Sequence, residues 1–328
     1  MTNSYAEIIR TLGRGPTNSR HLTIEEAECA FRGVMSGEMS DLQVGALLLL
    51  LRYRSESPAE LAGIVAAIRA QIGGDTKAAW QDIIDWPSYS SGKSRRLPWF
   101  LLSAKLLADN GYKIFMHGFN SHLQNGLLTE ECLPAIGEAP LTSVDAAKKH
   151  LAAHNFAYLP LRCFAPKLQE LLEIRSVLGV RSIVNTAVKL VNPLQAQLIF
   201  LGIFHPAYIT LNMEAAALLG QPGLGVIKGG GGEAERNIQK PIKLFKISGD
   251  QETTSQWPAL LPGKDKPDYP VTVEYLTRIW QGATRNDYAS AMITGTAAQA
   301  LFLSGAASTV EAAEDLAQTY WATHLQQP

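Results

Sequence analysis

An excess of charge of either sign is missing from this sequence: 29 Lys and Arg stand against 30 Asp and Glu, a net of -1. Nothing global recruits polyanions, so any nucleic-acid site has to be a local basic patch. Cysteine is scarce too. Cys29, Cys132 and Cys163 are far apart, which fits neither a disulfide framework nor a C-x-x-C metal site. The longest apolar run, VGALLLLL, is too short to span a bilayer. The N-terminal stretch MTNSYAEIIRTLGRG lacks the basic region, apolar core and small-residue cleavage site of a secretory leader. These absences lead to the expectation of a cytoplasmic, thiol-reduced protein with no membrane association. What the chain does have is length and apolar content, 328 residues of which 46% are hydrophobic. That is enough for two domains or one large α/β unit.

Hydrophobic periodicity divides the chain. From Tyr5 to Ile72 everything reads as helix, with Thr23 and Glu26 spaced as a capping box and the Gly73-Gly74 pair ending the last helix. Beyond that point short apolar runs alternate with helical segments: DIIDWPSY, RLPWFLLSAKLLADNG, KIFMHG, SVDAAKKHLAAHN, AYLPL, then QLIFLGIF, GLGVIKG and PIKLFKI. Such alternation marks βαβ units and a mostly parallel sheet. Asn286 to His324 returns to alanine-rich helix, and SQWPALLPGKDKPDYP, with four prolines, reads as a long surface connection. The expected architecture is a small helical domain over 1–74, completed by helices within 143–180, and a larger α/β domain over 75–328.

Several short stretches carry chemistry. WPSYSSGKSRRLPWFLL joins a strand to a helix and brings Lys93, Arg95 and Arg96 to that joint. The run is either a grip for phosphates or a solvated loop. Trp86, Tyr89 and Trp99 bracket it as stacking platforms for bases or as core. His117 follows an apolar strand, as a ligand contact or as a satisfied structural histidine. GGGGEAER resembles a phosphate loop, but without a following Lys-Ser/Thr it is no Walker motif, and a turn or hinge is the competing reading. Lys240, Lys243 and Lys246 are spaced by three, and alternation in a strand has period two, so they cannot form one stripe.

The segment MSGEMSDLQVGALLLLLRYRSESPAELAGIVAAIR, Met35 to Arg69, resembles the N-terminal helical domain of the anthranilate phosphoribosyltransferase and pyrimidine-nucleoside phosphorylase superfamily. LGVRSIVNTAVKLVNPL, Leu178 to Leu194, is similar to that family's L-G-x-R-T-x-x-N-x-x-x-P-L-x-N-P motif. The resemblance implies an anthranilate phosphoribosyltransferase-like fold. Against the family pattern, the G-T-G-G-D loop is replaced by PSYSSGKSRR with the single glycine Gly92. K-H-G-N-R becomes FMHGFNS, keeping His117, Gly118 and Asn120 but with Met116 and Ser121 for the cations. The acidic magnesium element H-G-x-D-G-x-D-E becomes KGGGGEAER, where Ala234 stands for the aspartate and Glu235 remains, with Glu233 nearby.

Three altered elements imply loss of anthranilate phosphoribosyltransferase activity, with His117 and Asn120 as vestiges of the catalytic centre and Glu233 and Glu235 of the metal site. The pattern resembles the divergent YbiB-type branch of the family. That resemblance implies a homodimer through the N-terminal helices that binds DNA, or RNA, without sequence preference, needing no cofactor. Lys93, Arg95, Arg96, Arg175, Arg181 and Lys189 would hold the phosphate backbone. The alternative is a glycosyl or phosphoribosyl transferase, or a phosphorylase, of altered specificity that acts on a phosphorylated sugar with magnesium.

Overall fold

A computed structural model describes residues 4–15, 17–73, 82–89, 96–119, 127–263 and 268–326. The chain forms two compact units, one of Met1–Ala79, Ala165–Gln195 and Thr210–Gln221, the other of Trp80–Phe164, Ala196–Ile209 and Pro222–Pro328.

The first unit is helical. Helices α1 (Ser4–Gly13), α2 (Ile24–Ser36), α3 (Asp41–Arg54) and α4 (Pro58–Ile72) follow one another. Thr23 with Glu26, Ser40 with Gln43 and Ser57 with Glu60 form three capping boxes, each satisfying orphan N–H groups at a helix start. Gly63 lets α2 and α4 touch: a Cβ there would lie 2.3 Å from the Ile24 carbonyl oxygen. Glu60 is 1% exposed and accepts the N–H groups of Leu22 and Ser57 while facing His21 Nδ1 at 3.0 Å.

Of the helices within 143–180, those from Pro166 to Leu178 join this unit, together with residues up to Gln195 and Thr210–Gln221. The Arg69 guanidinium on α4 donates to the carbonyls of Val191 (3.0 Å) and Leu190 (2.8 Å) and to Gln221 Oε1 (3.2 Å), which ties residues near 190 and 221 to the bundle. The helix Val144–His154 belongs instead to the second unit, burying Ala147 and Leu151 beside the sheet.

The second unit is built on a seven-stranded sheet. Its strands are β1 (Ile83–Ser88), β2 (Lys113–Gly118), β3 (Phe156–Pro160), β4 (Leu198–Ile203), β5 (Gly223–Lys228), β6 (Ile242–Ser248) and β7 (Gln251–Trp257), in the order β3-β2-β1-β4-β5-β6-β7. The first five are parallel, and β6 and β7 add antiparallel at one edge. In β1 and β4 every residue is buried, as continuous apolar runs in a covered parallel sheet require.

The connection expected from Ser255 onward therefore starts as strand. Only Trp257 of β7 is buried, which is why the segment carries no apolar alternation. The helices Trp99–Asp109 (α5), Asp287–Ser304 and Val310–His324 pack together with the sheet over one core that includes Trp86, Trp99, Phe200 and Trp257. Among the described residues no helix is long and apolar enough to cross a membrane.

Candidate functional site

The strand order fixes where ligands gather. From β1 the chain moves outward to β2 and β3, then returns to place β4 on the other flank of β1. The crevice beyond the carboxyl ends of β1 and β4 is thus the topological switch point, the place where open α/β sheets bind their ligands. Tyr89 leaves β1 there, Phe204 leaves β4, and Lys228 closes the neighbouring β5.

The tetraglycine after β5 is a closed turn. The N–H of Gly229 donates to the Ile203 carbonyl, that of Gly230 to Glu235, that of Gly232 to Gly229 and that of Glu233 to Gly230. The amides of three of the four glycines are thus spent on backbone acceptors. The glycines answer to packing: a Cβ on Gly229 would lie 1.6 Å from the Glu233 carbonyl oxygen, and one on Gly202 would lie 1.9 Å from the Glu233 carbonyl carbon. Gly231 and Gly232 hold φ of 72° and 93°, the left-handed region open to glycine.

The two carboxylates of this segment are turned inward. Glu233 is 3% exposed and accepts from Ser88 Oγ at 3.1 Å. Glu235 is 1% exposed, and its Oε2 accepts the Phe100 N–H at 3.1 Å. Helix α5 starts at Pro98 without a side-chain cap of its own, so Glu235 supplies a cap and places its charge at the positive end of the helix. Arg236 is fully buried. It pairs with Glu314 at 2.7 Å, donates to the Pro258 carbonyl at 2.6 Å and lies 4.9 Å from the centre of the Trp257 ring.

Around this turn lies a pocket of about 550 Å³ whose described walls include Arg96, Phe204, Lys228, Lys240, Glu235 and Tyr288. Arg96, Lys228 and Lys240 make no hydrogen bond or ion pair among the described residues. Among the described residues, three cations with no hydrogen-bond or ion-pair partner share this lining with a single carboxylate, itself engaged with a backbone N–H. The field in such a concave site favours an anion.

The expected site residues fall as follows. Lys93, Arg95 and Asn120 lie outside the described residues. Arg96 lines the pocket. Arg175 and Arg181 are exposed and Lys189 is half-buried, all three in the helical unit. His117 is fully buried between Tyr89 and Asp85. Trp86 and Trp99 are core, each 0% exposed, whereas Tyr89 is half-buried. The lysine triplet is divided as its spacing requires, with Lys240 at this pocket and Lys246 at another, over the Phe302 ring. Lys228 was not singled out by the sequence and Lys240 only within a triplet that cannot form a stripe, since only the fold brings the end of β5 and the approach to β6 beside Arg96.

Known proteins share this frame. Residues 6–72 match the helical bundle domain of a glycosyl transferase family. The anthranilate phosphoribosyltransferase of Thermus thermophilus is 30% identical over 267 residues, covering 74% of this chain and 79% of its own length. This chain belongs to the anthranilate phosphoribosyltransferase family. Within that family it is also similar to the uncharacterized protein YbiB of Escherichia coli, 28% identical over 278 residues, or 77% of this chain and 86% of YbiB. The crystal structure of the Thermus thermophilus anthranilate phosphoribosyltransferase superposes with a TM-score of 0.77 over 99% of this chain and 96% of its own, at 20% identity. The fold is thus the family's, a helical bundle with a mostly parallel sheet.

Proposed function

We propose that this protein holds a phosphorylated sugar compound at the carboxyl edge of its sheet and acts as a glycosyl or phosphoribosyl transferase, or a phosphorylase, of altered specificity. The observation that carries this reading is the meeting of Arg96, Lys228 and Lys240 in one pocket beside the switch point. A volume of about 550 Å³ falls in the range of small-molecule sites. The relatives named anthranilate phosphoribosyltransferase support a transferase reading over a purely structural one.

Magnesium, which the family resemblance implies, does not fit the residues present. A hard cation shared with a diphosphate wants convergent carboxylates. Here Glu235 is the one carboxylate among the described lining residues, it caps α5, and three cations share the lining with it. Side-chain cations take over the neutralisation of the phosphate.

Calorimetric titration with ribose 5-phosphate tests the reading. Each charge-assisted contact is worth about 1.5–3 kcal/mol, so Arg96→Ala or Lys240→Ala should weaken binding by roughly 10- to 100-fold. Wild-type protein that fails to bind ribose 5-phosphate at low salt refutes it.

A second reading is favoured by one feature. Arg96 is the described end of the run Lys93, Arg95, Arg96, so the anion at this pocket can be a phosphate of a nucleic-acid backbone. Anisotropy of labelled single-stranded and duplex DNA over a salt series decides, since phosphate-driven binding falls steeply with salt and is indifferent to sequence. Under either reading we infer a homodimer through the helical unit. The α3 helix buries Val44, Leu47, Leu48 and Leu51 on one side and exposes Leu42, Leu49 and Tyr53 on the other, at 85%, 42% and 89%. With about 100° between successive residues the two stripes lie opposite each other, and a second copy would cover the outer one.

A further inference from the structure

Asp85, Tyr89 and His117 join into a chain of hydrogen bonds that runs from the middle of β1 to the carboxyl ends of β1 and β2. His117 Nε2 lies 3.2 Å from Asp85 Oδ2, and Tyr89 Oη lies 2.6 Å from His117 Nδ1. Asp85 and His117 are both 0% exposed, while Tyr89, just beyond the last residue of β1, is half-buried. The imidazole is pinned: Phe115 stacks on it with centroids 5.7 Å apart, and Phe164 and Tyr89 meet it edge-on at 5.8 and 5.2 Å. Asp85 Oδ1 is buried with no hydrogen-bond partner among the described residues, so His117 is the group the carboxylate addresses.

The donor and acceptor inventory settles the direction of each bond. A carboxylate only accepts, so His117 carries its proton on Nε2 and donates to Asp85. Nδ1 is then bare and accepts from the Tyr89 hydroxyl. With its one proton committed to His117, Tyr89 Oη keeps lone pairs that can accept another proton.

We propose that Tyr89 is the catalytic base of this site, relaying a proton to His117, for an acceptor that carries a hydroxyl or amine. The reaction it would serve rests on the transferase reading above. The acceptor X–H donates to Tyr89 Oη. As the lone pair of X forms a bond to the anomeric carbon of the phosphorylated sugar, the carbon–oxygen bond to the phosphate leaving group breaks, and its electron pair departs with the phosphate. The proton of X passes to Tyr89 Oη while the Tyr89 proton passes to His117 Nδ1, leaving an imidazolium held by the Asp85 carboxylate. Burial, and behind it the charges of Tyr158 and Asp85, pushes the Tyr89 phenol well above its ordinary range. A standing phenolate is thereby disfavoured, and a concerted relay avoids one. His117 and Asp85 act through Tyr89 and are positioning residues.

The test uses the full chain and phenylmethanesulfonyl fluoride. Attack by Tyr89 Oη forms a sulfur–oxygen bond as fluoride leaves with the sulfur–fluorine electron pair, and the phenol proton goes to His117. Free N-acetyltyrosinamide in the same solution is the reference, and both products are followed by mass spectrometry. General-base assistance should make Tyr89 react at least about tenfold faster than the free phenol, and Asp85→Asn should abolish that excess. A Tyr89 no faster than the free phenol, or a rate unchanged in a folded Asp85→Asn, overturns the proposal. Nitrogen-15 NMR of the wild-type chain adds a reading that needs no variant. His117 protonated on Nε2 and bare on Nδ1 agrees with the relay, and the opposite tautomer refutes it. Ribose 5-phosphate titration of wild type and Tyr89→Phe separates the two ideas. If the relay fails, binding of the sugar phosphate is untouched. If the transferase reading fails, that binding is absent in wild type while the Tyr89 reactivity stands.

Discussion

The buried pair of Arg236 and Glu314 offers a quantitative test of how the turn after β5 is held. Arg236 has no exposed surface, and its partner's side chain keeps 17% of its own. Removing one member of a buried pair costs about 3–5 kcal/mol, because the charge left behind has lost its compensation. The two single variants should not cost the same. In Arg236→Met the remaining Glu314 still reaches water, which puts the cost near the low end, about 3 kcal/mol. In Glu314→Met the remaining arginine is sealed and cannot shed its proton, which puts the cost near the high end, about 5 kcal/mol. The double variant Arg236→Met/Glu314→Met removes both charges, and the sum of the singles should exceed its cost by about 2 kcal/mol or more. Urea unfolding followed by tryptophan fluorescence is the assay. The described tryptophans, residues 86, 99, 257, 280 and 321, all belong to the α/β unit, so the signal reports the unit that contains the pair. Costs that add within about 0.5 kcal/mol would mean that the pair is not coupled and that the packing of Arg236 on Trp257 is what matters.

Three further outcomes follow from the same coordinates. Gly229→Ala, whose Cβ would meet the Glu233 carbonyl oxygen at 1.6 Å, should cost at least about 1–3 kcal/mol and draw Glu235 off the Phe100 N–H; an unchanged melting temperature would contradict the close approach. Alkaline stability should fall between pH 10 and about 12: burial raises the Tyr112 and Tyr269 phenols from 10.0 to about 12, so their neutral forms favour the fold fully below pH 10 and that advantage is lost as pH climbs through 12. Circular dichroism from pH 8 to 12.5 would show it, and Tyr269→Phe should flatten the fall. Finally, Leu49→Glu with Tyr53→Glu should turn a dimer into a monomer in sedimentation equilibrium without loss of helix content, and a wild-type chain that sediments as a monomer would remove the dimer proposal.

Much of the fold was legible because its signals are local. The pair Thr23 and Glu26 marks the start of α2 by spacing alone, and LIFLGI announces a strand buried on both faces. Strand β7 escaped because QETTSQW buries only Trp257, so an edge strand reads as loop to any argument from apolar pattern. Its signal was the Gly249-Asp250 pair between two extended runs, with Gly249 at φ 57°, a two-residue hairpin. The segments near 190 and 221 that also join the helical unit were not anticipated, because Arg69 reaches carbonyls 121 and 122 residues away, which no local pattern encodes. The site was less legible for the same reason. Lys228, Lys240 and Arg96 carry no common spacing, and His117 meets Asp85 and Tyr89 only because β2 lies beside β1.

The tetraglycine shows how a family motif can persist while its physical task changes. Four consecutive glycines next to acidic residues invite a phosphate loop, yet here the amides of Gly229, Gly230 and Gly232 close on Ile203, Glu235 and Gly229, and their missing side chains make room for the Glu233 backbone. The surviving carboxylate is explained without a metal, because Glu235 caps α5. With most of the glycine amides and the acidic side chains committed to the fold, long cationic side chains and the Tyr89 hydroxyl remain, on the proposed reading, as the main groups to meet a ligand at this edge. Side chains on flexible stems tolerate different phosphate positions more readily than a rigid backbone cradle does. On the proposed reading, the same substitution relaxes the demand for a diphosphate and its metal and would widen the set of phosphorylated ligands at the pocket, so the Arg96 and Lys240 variants should weaken sugar phosphates and polyanions alike, whereas Tyr89→Phe should leave both bound.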